Sequence, residues 1–348
     1  MKNSSINKDI KDTILDSKSV CVIPSKSDPD SIGSALAMYR ILTSLKKDVN
    51  IKYYGELGDI SVKFPNRPDN SKFNADTRID NSFDLLIFLD GSKLNRFNVS
   101  IDELNSFKGS TLSIDHHEME KGDKGFTNYL INDPLSDSTC ELIVRIFYNK
   151  FDSDWLNLFS FDIDTDSAND LLVGMYSDNC IFRYKNSKFA FLVAQYLIEH
   201  NANNSMAVYK VFQSFDINSI DITKLLLNNL KFFKEEETMI TYLTLKDVKE
   251  FDGYDIGALS EIYSQFITRC IYGYKRGYIL KEIDDKNIQI SARGNNYTND
   301  IDLTEILGDL KPKYSGGHFN AAGSTVENVT LEELTNLILS VTRELMQK

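Results

Sequence analysis

The chain has 348 residues, 42% hydrophobic and 26% charged, and its 39 Lys and Arg against 51 Asp and Glu give a net charge of −12. That composition belongs to a folded, globular protein with room for two domains and argues against a disordered chain. The acidic balance argues against long nucleic acid as a partner, because such binding rests on phosphate neutralisation by Lys and Arg; a small anionic substrate stays open, since bound divalent metals reverse the sign of a carboxylate-lined pocket.

Met1–Lys18 is polar and mixed in charge, unlike a signal or transit peptide. No apolar run approaches the roughly 18–20 residues that span a bilayer, so a cytoplasmic protein without membrane contact is expected. Val20–Ile23 reads as a short strand ending at Pro24, followed by the polar turn Ser25–Asp30. Ile32, Ala35, Leu36, Tyr39, Leu42 and Leu45 then recur at helical spacing. Asn50–Tyr54 reads as a strand, Phe83–Leu89 as a buried run ending at Asp90, and Thr111–Ile114 as another ending at Asp115. Short buried runs between amphipathic helices predict an α/β fold with a parallel, doubly wound sheet. Asp28/Asp30, Asp90 and Asp115 each follow a predicted strand, and in open α/β sheets the ligand crevice lies at the carboxyl ends of the strands.

Further on, Ser138 and Glu141 have the spacing of a capping box that opens a helix through about Tyr148. Another helix, from about Ala168 to Tyr176, delivers Asp178 near its end. Residues 201–237 read as a helical linker between a first domain, 1–200, and a smaller α/β domain, 238–348, with a cleft expected between the two. The second domain holds predicted strands at Met239–Leu245, Tyr278–Ile283 and Asn287–Ala292, and the Gly-rich segment Ser315–Gly323. Cys21, Cys140, Cys180 and Cys270 are widely spaced without a CxxC pair, which points to buried thiols and away from a zinc ribbon or a disulfide framework.

Carboxylates and histidines at strand ends are the materials of a two-metal phosphoryl site. Hard oxygen ligands and imidazole suit Mn²⁺ or Mg²⁺, and two ions about 3.5–4 Å apart activate a water and steady the leaving oxygen. Singly, each signal has a plainer reading. Asp30 could cap a helix beginning at Ser31, Asp90-Gly91 could be a turn, and Asp178 could be a solvated residue at a helix end. His116-His117 after Asp115 is less ordinary in a chain with four His, whereas His200 fits no pattern and reads as structural.

Taken in order, Asp28-Pro29-Asp30-Ser31-Ile32-Gly33-Ser34, Leu89-Asp90, Asp115-His116-His117 and Tyr176-Ser177-Asp178 resemble the four motifs of the DHH phosphoesterases. Ser315-Gly316-Gly317-His318-Phe319-Asn320-Ala321-Ala322-Gly323 is similar to the GGGHxxAAG signature of the DHH-associated domain, and Ser291-Ala292-Arg293 to the short Arg motif before it. The resemblance covers about residues 18–325 and is nearest to the nanoRNase and phosphoadenosine-phosphate phosphatase type, which includes hydrolases of linear and cyclic di-adenylate. It implies that Asp28 binds a first metal, Asp30 a second, and Asp90 both, with His116 and Asp178 completing the second. It implies that Asp115 orients a neighbour and that His117 touches the substrate phosphate. It further implies that His318 and the backbone amides of Gly316 and Gly317 hold a substrate phosphate paired with Arg293. The implied cofactor is Mn²⁺, with Mg²⁺ as the alternative; the implied partner is a small nucleotide or short oligonucleotide, and a homodimer stays open.

The pattern is broken in three places. Pro24 stands where the family usually has a metal-binding His, Asp178-Asn179-Cys180 where it has Asp-Thr-Gly, and Ser315 where it has a third Gly. The first break removes a ligand of the first metal; water, Ser25, Ser27 or the charge of Lys26 are the alternatives for filling the gap. The leading expectation is a hydrolase in which a metal-activated water attacks a terminal phosphorus and releases a nucleoside or mononucleotide. Its rival is a weakened nucleotide-binding or regulatory protein that lacks the first metal. An inorganic pyrophosphatase or exopolyphosphatase would share the first four motifs, but the His318 motif argues against it.

Overall fold

A computed structural model describes residues 2–25, 28–55, 60–75, 78–119, 122–148, 156–183, 187–213, 219–251 and 271–348. Lys26, Ser27 and Cys270, named above, lie outside the described residues. The chain divides into two compact units, Met1–Ser214 and Phe215–Lys348.

The first unit is built on six strands: β1 (Ser19–Pro24), β2 (Asp48–Lys52), β3 (Phe73–Asn74), β4 (Leu85–Leu89), β5 (Ser110–Asp115) and β6 (Tyr129–Asn132). They form one sheet in the order β3-β2-β1-β4-β5-β6, and every pairing is parallel. This is the expected doubly wound arrangement. The chain runs outward in one direction from β1 and then resumes on its other side at β4, so the crevice at the carboxyl ends of β1 and β4 is the switch point of the topology. Side chains of a strand alternate between faces, and here both faces are covered. Val20 and Val22 of β1 join Leu85, Ile87 and Leu89 of β4 in one core. Cys21 and Ile23 join Leu86 and Phe88 in the other, where Phe88 meets Phe97 edge-on at 5.0 Å. That double burial is why these strands read as unbroken apolar runs.

Helices α1 (Lys2–Asp16), α2 (Pro29–Ser44), α3 (Ile60–Lys63), α4 (Ile101–Ser106), α5 (Thr139–Ile143), α6 (Thr165–Asn179), α7 (Ala190–Glu199) and α8 (Asn204–Val208) complete the unit. α2 and α6 cross in close contact, and two glycines permit it. A Cβ at Gly33 would lie 2.6 Å from the carbonyl oxygen of Asp170; one at Gly174 would lie 2.4 Å from Cys140 Sγ and 2.9 Å from the carbonyl oxygen of Pro29. Some elements depart from expectation. The strand expected at Asn50–Tyr54 runs from Asp48, because its register with β1 starts at Ser19–Asp48, and Tyr53 beyond its end stacks on Phe73 at 4.7 Å. The helix opened by Ser138 is α-helical to Ile143 and continues as a π-helical turn over Val144–Tyr148.

The second unit carries β7 (Lys231–Phe233), β8 (Thr238–Leu243), β9 (Arg276–Glu282), β10 (Asn287–Gly294), β11 (Tyr314–His318) and β12 (Ala321–Glu327) in a sheet ordered β11-β12-β10-β9-β8-β7. Only β8 and β9 pair in parallel. Helices α11 (Leu303–Asp309) and α12 (Leu331–Met346) cover one face, packing on Tyr278, Leu280, Ile288 and Ile290. On the other face Leu243 and Ile279 pack on Ile222 and Leu226 of α9 (Ser219–Asn228), near the short α10 (Leu245–Glu250). The segment expected as a linker is shared between the units, α8 packing on α6 in the first and β7 joining the sheet of the second. The Gly-rich segment forms the hairpin of β11 and β12, with Gly316 opposite Gly323 and Gly317 opposite Ala322. Among the described residues no helix is long and apolar enough to cross a membrane.

Gly174 sets the spacing of α2 and α6. Gly174→Ala is expected to destabilise the protein by about 1–3 kcal/mol, the usual cost of an extra methyl in a filled contact. Chemical denaturation measures it; a loss under about 0.5 kcal/mol would show that the helices part freely.

Candidate metal centre

The site begins at the start of α2. Asp28 is in extended conformation and caps the helix, one carboxylate oxygen accepting from the Ser31 amide at 2.9 Å, with Pro29 in the first turn, where its missing N–H costs nothing. The cap is therefore Asp28; Asp30, the alternative considered from sequence, lies inside the helix. Its buried carboxylate accepts the amides of Thr139 and Cys140, each at 2.8 Å, at the start of α5.

Asp90 follows β4 with φ 64°, a left-handed conformation that Asp tolerates better than most residues. Its Oδ2 accepts the hydroxyls of Ser31 at 2.7 Å and Ser25 at 3.2 Å, and its Oδ1 accepts that of Thr139 at 3.3 Å. The same Oδ1 is 3.5 Å from His116 Nε2 and 3.6 Å from His117 Nδ1.

His116 is the meeting point. Its Nδ1 lies 3.3 Å from the Ser136 carbonyl oxygen, the contact from which we assign the Nδ1–H tautomer. That makes Nε2 the nitrogen that would give up its proton to become a metal donor. Asp178 Oδ2 lies 3.2 Å from Nε2 and Asp30 Oδ2 lies 4.0 Å away, yet Nε2 is buried without a hydrogen bond. A buried polar atom of this kind calls for an explanation, and a cation shared with the surrounding carboxylates supplies one. The neighbouring His117 points its Nδ1 at Asp115 Oδ1, 2.7 Å away, while the hydroxyl of Ser92 donates to Asp115 Oδ2.

The loop that presents the Ser136 carbonyl is anchored by Arg145, which is 3% exposed. Its guanidinium donates to Ser136 Oγ at 2.5 Å and pairs with Asp133 at 3.1 Å and Glu141 at 3.2 Å, over the ring of Phe189. Ser138 caps α5 as expected, but the capping box is not closed: Glu141 accepts the amide of Asp137 and the hydroxyl of Ser187 instead.

Electrostatics follow from two buried carboxylates, Asp30 and Asp90, beside the partly exposed Asp178. Burial, with the charges of Asp178 and Asp90, pushes the Asp30 pKa well above the usual carboxylate range. Burial acts upward on Asp90 too, but His116, His117 and the Ser31 hydroxyl outweigh it and lower its pKa. Burial opposes a charged His116, yet Asp178 and Asp90 more than offset this and raise its pKa well above that of ordinary imidazole. The metal-free cluster thus retains protons that a divalent cation would replace.

The fold therefore brings together Asp30, Asp90, His116 and Asp178, with the Asp115–His117 pair beside them, while the Asp28 carboxylate is engaged as a cap. Ser31, Thr139 and Arg145 are partners of the site that the sequence does not single out, and Ser25, one of the alternatives for filling the gap left by Pro24, donates its hydroxyl to Asp90. For Arg145 a signal existed, a charged residue four after Glu141 within an otherwise apolar run. In the second unit, Lys281, Gln289, Ser291, Arg293, Gly316 and Gly317 are among the residues lining a cavity of about 360 Å³. Arg293 donates to the Ala292 carbonyl at 3.0 Å. Gly317 has φ 146°, and a Cβ there would lie 2.4 Å from the Ala321 carbonyl oxygen. Gly316 and Gly317 lie in the edge strand, and successive amides of a strand point to opposite sides. In a regular ladder one of the two therefore faces β12, and the other is left for a ligand. The side chain of His318 lies outside what is described. His200 ends α7 with Nδ1 2.8 Å from the Tyr196 carbonyl oxygen, a structural role as expected.

Residues 19–175 match the family model described as the DHH family, N-terminal domain. An exopolyphosphatase-related protein from Bacteroides fragilis superposes with a TM-score of 0.80 at 21% identity, over 99% of this chain and 98% of that one. RecJ from Thermus thermophilus, in complex with Mn²⁺, superposes with a TM-score of 0.55 at 12% identity, over 98% of this chain and 55% of that one. Likenesses at these identities show a shared fold. A membrane protein–large ribosomal subunit bL9 fusion protein of Onion yellows phytoplasma (strain OY-M) is 22% identical over 327 residues, 90% of this chain and 35% of that protein. The chain thus spans about a third of the length of this curated relative.

Two outcomes are expected of the centre. Arg145→Lys keeps the charge but loses the planar fork, and is expected to weaken Mn²⁺ binding about 10-fold by loosening the support of His116. Calorimetry measures this, and an unchanged affinity would mean that the loop holds Ser136 unaided. Because the raised pKa values of Asp30 and His116 keep protons on the metal-free site, Mn²⁺ affinity should rise with pH from about 6.5, the ordinary imidazole value, and fall as acid refills the site. A flat profile with no proton release in calorimetry would contradict it.

Proposed function

This chain is a DHH-superfamily member with the family's N-terminal domain over residues 19–175, and on that premise we propose that it is a metal-dependent phosphoesterase. Its proposed substrates are small nucleotides or very short oligonucleotides, with linear or cyclic di-adenylate and phosphoadenosine phosphate as the leading candidates. The observation that carries the reading is the buried Nε2 of His116, which makes no hydrogen bond and faces the carboxylates of Asp30, Asp90 and Asp178. Hard oxygen donors with one imidazole suit Mn²⁺ or Mg²⁺, and these four residues would hold the ion. Bound there, the ion would polarise a phosphoryl oxygen and lower the pKa of a water at neutral pH.

The chain's own groups account for the rest. Asp115, steadied by Ser92, fixes the ring of His117 and takes its Nδ1, so Nε2 is the nitrogen we assign to a substrate phosphate. In the second unit, the register sets Gln289 opposite Lys281 and Ser291 opposite Ile279, so that Lys281, Gln289, Ser291 and Arg293 line the same cavity. Its volume of about 360 Å³ suits a small ligand, and its cations and glycine backbone suit a phosphate. We assign to this cavity the recognition of substrate phosphate, with Arg293, Gly316, Gly317 and His318 as the proposed contacts. A second reading, a nucleotide-binding protein of little activity, draws on Pro24 in place of a ligand.

The deciding assay sets the purified protein with Mn²⁺ against linear and cyclic di-adenylate, phosphoadenosine phosphate, short RNA and pyrophosphate. Hydrolysis of a nucleotide is expected; binding without turnover would favour the second reading. Asp90→Ala should stay folded and lose nearly all activity, and activity within about threefold of wild type, a few tenths of a kcal/mol, would remove Asp90 from the mechanism. Arg293→Ala should raise KM for nucleotides more than it affects a small generic phosphoester. Equal losses on both would assign Arg293 to folding.

A further inference from the structure

Among the described residues, two groups of three side chains converge closely enough to hold a cation: Asp90 with His116 and His117, and Asp30 with His116 and Asp178. Both depend on His116. Its Nδ1 is turned to the Ser136 carbonyl, so Nε2 alone is available. An imidazole nitrogen has one in-plane lone pair and serves one ion, which makes the two groups alternatives for a single ion. His117 decides between them. Its Nδ1 is 2.7 Å from Asp115 Oδ1 and 3.6 Å from Asp90 Oδ1, and is committed to Asp115. The remaining group is Asp30, His116 and Asp178, joined by Asp90 Oδ1 at 3.5 Å from the same nitrogen.

The far side of Asp90 is closed by hydroxyls. Oδ2 accepts from Ser31 at 2.7 Å and from Ser25 at 3.2 Å, and the two hydroxyl oxygens lie 3.1 Å apart. All three residues are buried. A second ion bridged by Asp90 would have to displace these donors from that oxygen. Among the described residues at the end of β1 and the start of α2, Pro24 has no donor atom in its side chain, and Asp28 already accepts the Ser31 amide on one carboxylate oxygen.

We infer that the centre takes one divalent ion per chain, held by Asp30, Asp90, His116 and Asp178, and that the hydroxyls of Ser25 and Ser31 stand on Asp90 where a second ion would otherwise bind. The inference rests on the reading of this cluster as a metal site. With a single ion bound, orienting the substrate phosphate would fall more heavily on His117.

Mn²⁺ titrated into the metal-free full-length chain, followed by calorimetry and electron paramagnetic resonance, tests it. Binding should saturate at one ion per chain with the spectrum of an isolated ion. Asp178→Asn should weaken that ion at least about 10-fold and leave none at wild-type affinity. The double variant Pro24→His/Ser31→Ala adds a nitrogen donor and removes the shorter of the two hydroxyl contacts on Asp90 Oδ2, and should take up a second ion. Two ions per wild-type chain, or the spectrum of a coupled pair, would overturn the inference and leave a metal-dependent esterase intact. An ion kept at full affinity by Asp178→Asn would move the site to Asp90 and His117. A double variant that stays at one ion would remove the hydroxyls from the account, and a wild-type chain that binds no Mn²⁺ would overturn both the inference and the metal-site reading beneath it.

Discussion

Two buried carboxylates, Asp30 and Asp90, and the partly exposed Asp178 converge on one imidazole nitrogen. Buried like charges are costly unless each is paired or hydrogen-bonded, and the surrounding structure meets that condition group by group. Asp30 has two amides of α5, Asp90 has three hydroxyls, and Asp115 has a histidine and a serine. His116 Nε2 is left without a hydrogen bond, and it is the atom on which all three site carboxylates converge. A cation would remove both the repulsion and the orphan.

Holding those groups in place is the work of the first unit's scaffold. The reversal of strand order between β1 and β4 opens a crevice where Asp30 and Asp90 arrive from different sides. The crossing of α2 and α6, close enough to exclude a side chain at Gly33 and Gly174, brings Asp178 to the same point. Buried Arg145 then ties down the loop whose Ser136 carbonyl selects the tautomer of His116. Such support around a metal-binding histidine governs affinity almost as strongly as the ligands themselves.

The second unit applies different means to a related task. Its sheet packs two helices on one face and on the other presents Lys281, Gln289, Ser291 and Arg293. Gly317 closes the hairpin next to them in a conformation, and at a distance from Ala321, that leave no room for a side chain. Cations and exposed backbone, without buried carboxylates, make this face suited to an anion where the first unit is suited to a cation.

The amino-acid sequence by itself determined the parallel sheet, because strands buried on both faces must be apolar throughout, and it located Asp28, Asp30, Asp90 and Asp115 at strand ends, because polar residues can follow such strands only where they leave the core. The order of motifs added His116, His117 and Asp178. What the sequence left open was how those groups divide the work. Whether Asp28 or Asp30 caps α2 depends on where the first turn begins, and a shift of two residues moves the cap from one to the other. The short edge strands β3 and β6 carry too few residues for a period to show. The hydroxyls on Asp90 come from residues 49, 59 and 65 positions away, and the amides on Asp30 from positions 109 and 110 residues distant. Hydrogen bonds over such separations leave no local pattern, since they depend on how helices and strands from distant parts of the chain pack, and only the tertiary structure decided them.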